Sequence, residues 1–241
     1  MRVIRGFDGV APLCRAVATV GSYDGVHRGH RELLVEVVRR ARECGGESVV
    51  VTFEPHPRLV LGQGRVEILT TLEEKCLLLE EIGIDCLVVI PFDRAFASLS
   101  HETFIDDYIV GKLHIEQLVV GYNHRFGHEN RGDYNFLAQH AALKVVEMEQ
   151  YRYEGDKVSS TQVRKAMAEG DMVQVQRLLG HPYIIKGVAD KEGRIVVSEH
   201  KLMPADGEYK AVVGGTPSTV EIVGGVVCQR EYFSQEIVVE L

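Results

Sequence analysis

Residues Val20 to His30 read V-G-S-Y-D-G-V-H-R-G-H, a string flanked by two apolar segments of different period. The run before it, Ala16-Val17-Ala18-Thr19-Val20, has the composition of a buried strand. After it, Leu33, Leu34, Val37, Val38 and Ala41 recur at three-to-four spacing and mark the apolar face of a helix. The stretch is therefore a strand-to-helix junction, where unpaired backbone N–H groups and the helix dipole favour an anion. Residues three apart at a helix start lie about 5–6 Å apart at Cβ, so His27 and His30 can grip neighbouring phosphoryl oxygens. Gly21, Gly25 and Gly29 let ligand and backbone approach closely. Taken alone, the same pair would also fit a capping histidine or half a zinc site.

Along the rest of the chain, apolar strands alternate with amphipathic helices. Residues 48–53 are β-branched, 72–82 helical and 86–91 extended. A helix is predicted over 102–109, a strand over 117–121, a helix over 134–142 and an extended run over 143–148. That order predicts an α/β fold, a doubly wound, Rossmann-like parallel sheet with helices on both faces. Ligands in such sheets sit at the carboxyl ends of the strands. Two short helices, 161–169 and 172–179, follow as a linker. Beyond Gly180-His181-Pro182 the texture changes to short β-rich runs, 183–188, 195–198, 209–213, 219–223 and 236–239, read as a small antiparallel barrel or sheet. The expected domains are thus 1–180, including the helical linker 160–180, and a small β-rich domain over 181–241.

Composition excludes several functions. The chain has 241 residues, 45% of them hydrophobic, and a formal net charge of −8. Both parts are acidic, with 6 Lys+Arg against 9 Asp+Glu in residues 181–241 and 21 against 26 before them, so no nucleic-acid partner is expected. Five scattered cysteines without a C-x-x-C pair suit a reducing compartment. Neither a signal pattern nor a membrane-length apolar run is visible. A cytoplasmic location with no membrane partner is expected.

Three further segments carry chemistry. Phe53-Glu54-Pro55-His56-Pro57 uses two prolines to stiffen a strand exit and present His56. Gly121-Tyr122-Asn123-His124-Arg125-Phe126-Gly127, with Arg131-Gly132, is a glycine-bounded loop. Val158-Ser159-Ser160-Thr161-Gln162-Val163-Arg164 places hydroxyls, free helix N–H groups and a guanidinium on one turn, which makes an anion clamp. With these, Val20–His30 resembles the H-x-G-H signature of the nucleotidylyltransferase superfamily, and its flanks resemble the bacterial riboflavin kinase/FAD synthetase family. The other segments are similar to that family's F-x-P-H-P, G-x-(D/N)-F-x-F-G and S-S-T-x-(I/V)-R elements, in family order. Two departures stand out: Tyr23 and His124 each occupy a position where the family has phenylalanine.

The resemblance implies an FMN adenylyltransferase that joins AMP from ATP to FMN, with FAD and pyrophosphate as products. By that resemblance His27, His30 and Arg164 are catalytic. Gly21, Ser22, Tyr23, Gly29, Ser159, Ser160 and Thr161 bind ATP and its phosphates, and His56, Asn123, Arg125 and Phe126 lie on the flavin and nucleotide side. Mg²⁺ is expected on the substrate phosphates, with no metal site made of protein ligands; Asp24 reads as a turn residue or as an outer partner of that ion. His124 bears on which flavin is accepted. The alternatives are adenylylation of another phosphate monoester and a non-enzymatic flavin or nucleotide sensor. In the family's bifunctional members the C-terminal part is a longer riboflavin kinase barrel with a G-F-P-T-A-N run. This chain matches its opening at Gly180–Val188 and a later turn at Met203–Tyr209 but lacks that run, so a truncated, kinase-inactive remnant is expected.

Overall fold

A computed structural model describes residues 1–7, 13–62, 66–190, 192–229 and 236–241 of the chain. Six strands, β1 (Arg2–Arg5), β2 (Val17–Val20), β3 (Ser48–Glu54), β4 (Cys86–Pro91), β5 (Gln117–Val120) and β6 (Lys144–Glu147), form one sheet. Their order is β1-β4-β3-β2-β5-β6 and every neighbouring pair is parallel. The doubly wound expectation is met. Val17 to Val20 are all buried, as is most of β3 and β4, because a parallel sheet covered on both faces needs near-continuous apolar strands. Strands β3 and β4 extend to one side of β2, and β5 and β6 to the other. The order therefore reverses between β2 and β5, and the crevice at their carboxyl ends is where such sheets take ligands.

Helix α1 (Arg28–Cys44) buries Leu33, Leu34, Val37 and Ala41, the stripe its spacing predicts. Short α2 (Pro57–Leu61) follows β3, and α3 (Leu72–Ile82) has its predicted bounds. The helix expected over 102–109 differs. After α4 (Arg94–Ala97) and α5 (His101–Thr103), residues Phe104–Lys112 wind as a π-helix. Its buried residues, Phe104, Ile105 and Ile109, follow this wider turn. Gly111 permits it, because a Cβ there would sit 2.8 Å from the Asp106 carbonyl oxygen. Helix α6 (Tyr134–Ala138) is shorter than expected; Gln139 and His140 N–H groups close three-residue turns onto Phe136 and Leu137, the tightening that ends many helices. Strand β1 was not predicted. It lies at the sheet edge and is mostly exposed, so it lacks an apolar signature.

After a small hairpin, β7 (Arg152–Tyr153) and β8 (Asp156–Lys157), come α7 (Ser160–Ala168) and α8 (Met172–Leu179). Six further strands follow: β9 (Ile184–Ala189), β10 (Arg194–Val196), β11 (Gly207–Val213), β12 (Thr216–Val223), β13 (Val226–Gln229) and β14 (Glu236–Glu240). They close into an antiparallel barrel in the order β10-β13-β12-β11-β14-β9. Of the barrel or sheet expected here, the structure has the closed barrel. Strand β13, missed in the sequence, supplies the link between β12 and β10. Two-residue turns, Gly214-Gly215 and Gly224-Gly225, join β11 to β12 and β12 to β13 with positive φ at both positions, a geometry that selects glycine.

By packing, the chain forms two compact units. Residues 1–23, 29–66 and 78–151 make the first, and 24–28, 67–77 and 152–241 the second. This differs from the single boundary expected at 180/181. Two short segments from the N-terminal half and the helical linker pack with the barrel.

Candidate active site

In the first unit, the β2 exit begins with Gly21, where any Cβ would lie 3.0 Å from the Tyr23 ring. Tyr23 takes φ 47° and is buried. Its hydroxyl shares a 2.6 Å hydrogen bond with Thr19, and its ring meets the His30 ring edge-on at 5.1 Å. Burial pushes the phenol well above its ordinary pKa. Tyr23 thus braces His30 with its ring, and its hydroxyl is spent inside the unit rather than aimed at a phosphate. Ser22 is half-buried beside it.

At the β5 exit, Asn123 is exposed at φ 57° and Arg125 pairs with Asp133 at 2.9 Å. Phe126 is buried, forms paired backbone bonds with Gly132, and stacks on His124 at 5.7 Å between ring centroids. Burial pulls His124 down to about 4, so at neutral pH it is an uncharged flat ring. It therefore fills the phenylalanine position with aromatic packing intact. His56, at the β3 exit, is buried and caps α2, its Nδ1 accepting from the Arg58 N–H at 3.1 Å. This is a turn-stabilising role.

In the second unit, Asp24 is a hub. Its Oδ1 accepts from the Leu69 and Thr70 N–H groups at 2.8 and 3.1 Å, and its Oδ2 pairs with Arg164. Its carbonyl accepts from the Ser160 hydroxyl at 2.8 Å. The next residue, Gly25, donates to Thr70 Oγ1 at 3.0 Å, and its carbonyl faces His181 Nε2 at 3.1 Å. Arg28 donates to the Arg177 carbonyl at 2.7 Å and lies over the Tyr153 ring. The structure thus ties the first motif to the S-S-T-x-x-R motif about 140 residues later in the chain. His27 is buried beside this hub. Desolvation pulls it down to about 4, against the opposing attraction of Asp24, so at neutral pH the ring is uncharged.

The expected clamp differs in detail. Ser159 is the N-cap of α7, accepting from the Gln162 N–H, while Thr161 is exposed. Arg164 spends both terminal nitrogens on the Ser160 carbonyl, Asp24 and the Glu67 carbonyl; its buried Nε has no hydrogen-bond partner. The guanidinium organises the turn, with its charge paired to Asp24.

Asp24 is a turn residue, since both carboxylate oxygens are taken. Among the described residues no three His, Cys, Asp or Glu side chains converge as a metal cage.

Sequence reasoning missed the segment 67–74. One signal was present: Thr71-x-x-Glu74 is a capping box at the start of α3, with reciprocal bonds of 2.9 and 3.2 Å. Also missed was Lys201, fully buried against Glu74 at 2.7 Å. It has no sequence signal of its own.

A parallel sheet whose switch point carries the glycine-rich motif, together with a hydroxyl-capped helix bearing Arg164, defines an α/β nucleotidylyltransferase. More particularly, the chain belongs to the FAD synthetase family, which matches residues 11–162. It is 35% identical over 208 residues to the bifunctional riboflavin kinase/FMN adenylyltransferase of Listeria monocytogenes, covering 80% of this chain and 66% of that one. The protein of the same description from Escherichia coli K12 is 34% identical, with 93% and 74% covered, and that from Bacillus subtilis 33%, with 88% and 71%. The chain thus spans about two thirds to three quarters of these relatives. The solved macrolide-efflux protein from Streptococcus pneumoniae has the same fold, at TM-score 0.83 and 23% identity, covering 99% of this chain and 88% of that one. No helix among the described residues is long and apolar enough to cross a membrane.

Proposed function

We propose that this protein transfers the AMP moiety of ATP to FMN, giving FAD and pyrophosphate. The observation that carries the reading is the Asp24 hub, which draws the turn before His27 and the Ser160–Arg164 helix start into one hydrogen-bonded cluster. Both elements belong to motifs that handle nucleotide phosphates in the family the chain belongs to.

In this reading an FMN phosphate oxygen attacks the α-phosphorus of ATP in line. The new O–P bond forms as the bond to the β-phosphate oxygen breaks, and the electron pair leaves on pyrophosphate. No covalent enzyme intermediate is needed, so catalysis rests on positioning and charge stabilisation. His27, uncharged, donates one ring N–H to a phosphoryl oxygen, and His30, held by the Tyr23 ring, does the same. Arg164 and the first N–H groups of α7 attract the departing negative charge. Gly29 leaves room at the start of α1, and Asn123, Arg125 and Phe126 lie on the flavin side. Mg²⁺ would be held by the substrate phosphates and water and would supply neutralising charge.

The test is product analysis after incubation with ATP, Mg²⁺ and either FMN or riboflavin. FAD and pyrophosphate are expected from FMN. Pyrophosphate released with another phosphate monoester, but not with FMN, would overturn the choice of acceptor.

A further inference from the structure

Lys201 lies between β10 and β11, outside every phosphate-handling motif discussed above, yet it is one of the most completely buried charges in the second unit. Its three ammonium protons meet three acceptors: the Leu69 carbonyl at 2.6 Å, Glu74 Oε2 at 2.7 Å and the Ile184 carbonyl at 2.7 Å. The Tyr183 ring lies 4.1 Å from the nitrogen. Glu74 is equally committed. Its Oε1 accepts from the Lys186 N–H at 2.8 Å and its Oε2 from Thr71 N–H as well as from Lys201. The backbone adds to this grip, since Ile68 donates to the His200 carbonyl and accepts from the Leu202 N–H, each at 2.8 Å. A buried lysine with all three protons satisfied is a fixed strut rather than a mobile charge.

Leu69 faces two ways along its own peptide planes. Its carbonyl takes the Lys201 bond, while its N–H donates to Asp24 Oδ1, whose other oxygen holds Arg164. Four residues therefore stand in series: Lys201, Leu69, Asp24, Arg164. We propose that Lys201 and its partner Glu74 are positioning residues for the nucleotide-phosphate cluster, so that the barrel domain sets the aim of Arg164 through the Leu69 backbone. The inference rests on the proposed phosphate role of Arg164. It gives the barrel a function in adenylyl transfer that needs no second active site.

The test is a double-mutant cycle on ATP affinity, read by calorimetry with Mg²⁺-ATP on the whole chain; it needs no acceptor substrate. Lys201→Met and Arg164→Ala are each expected to weaken ATP binding about 10-fold, a typical effect for a hydrogen-bonded charge acting on phosphate. In the Arg164→Ala background, Lys201→Met should then cost less than about 2-fold, because its effect passes through the missing guanidinium. Independent effects that multiply to about 100-fold would overturn the proposal, as would normal ATP affinity in folded Lys201→Met. A purely structural lysine would lower the melting temperature without this non-additivity. Should Lys201→Met fail to fold, Lys201→Met with Glu74→Leu removes both buried charges together and leaves neither unpaired; the same coupling is expected. Coupled ATP binding in a protein that makes no FAD would uphold the relay and refute only the choice of acceptor.

Discussion

Replacing Asp24 by alanine should be among the most damaging single changes in this chain. The residue is 4% exposed, and its side chain serves two backbone N–H groups and one guanidinium. Its loss leaves the Leu69 and Thr70 N–H groups buried without an acceptor, at about 1–3 kcal/mol each. It also strips Arg164 of its counter-charge; breaking a buried pair costs about 3–5 kcal/mol. Because the Arg164 side chain keeps 19% exposure, the lower end applies, and the three effects share one cavity that water can enter. A destabilisation of about 4–6 kcal/mol follows, which for a chain of this size lowers Tm by about 10–20 °C. Asparagine keeps an oxygen for the two N–H groups but turns an amide NH2 toward Arg164 and loses the charge, so it should cost about 3 kcal/mol. Urea unfolding followed by circular dichroism separates the two variants. An alanine variant within about 1 kcal/mol of the parent, or asparagine as harmful as alanine, would refute the hub.

Alanine at His27 or His30 should lower kcat by about 10²-fold or more with the fold retained, since each is proposed to act on charge that grows in the transition state; steady-state FAD formation reads this, and unchanged turnover would remove the residue from the mechanism. Protonating His27 should destabilise the fold. Its folded pKa, about 4, lies below the ordinary 6.5, so the unfolded chain binds more protons between those values and stability is lost as pH falls through that window, by about 2 kcal/mol from pH 7 to pH 5. His27→Gln should shrink the pH 7-to-5 difference in denaturation midpoint, and an identical difference would contradict the shift. Finally, this chain should form no FMN from riboflavin and ATP. It has no tryptophan, so flavin fluorescence follows the reaction against little protein background, and FMN appearing in proportion to purified enzyme would assign the barrel a kinase site.

The sheet was legible because its signals are repetitive. Val17–Val20, Ser48–Glu54 and Cys86–Pro91 are dense apolar runs, and the Leu33-to-Ala41 stripe repeats over several helical turns. The site motifs were legible as strings, but what their residues do in the fold was not. Asp24 could be read as a turn residue or an ion partner because the N–H groups that decide the matter come from Leu69 and Thr70, whose side chains leave no mark of a backbone donation. His56 looked like a ligand residue and serves a helix cap; Tyr23 looked like a phosphate contact and packs against His30. Lys201 was silent for a different reason. Burial of a lysine depends on three acceptors brought from elsewhere in the chain, and two of those are carbonyls.

The Asp24 turn also has a history in time. Its bonds reach 45 residues ahead to Leu69, 136 to Ser160, 140 to Arg164 and, through Gly25, 156 to His181. On a ribosome adding about 5–20 residues per second, roughly ten to thirty seconds separate the emergence of Asp24 from that of Lys201. Contacts of such separation close late, after the loop entropy between them has been overcome. The β2–β3–β4 core can assemble from the early chain, whereas the glycine-rich turn stays unlatched until Ser160, Arg164 and His181 have been made. The stretch that announces the fold is thus among the last parts of the molecule to take its final shape, and a chain arrested before Ser160 would carry the motif without its latch.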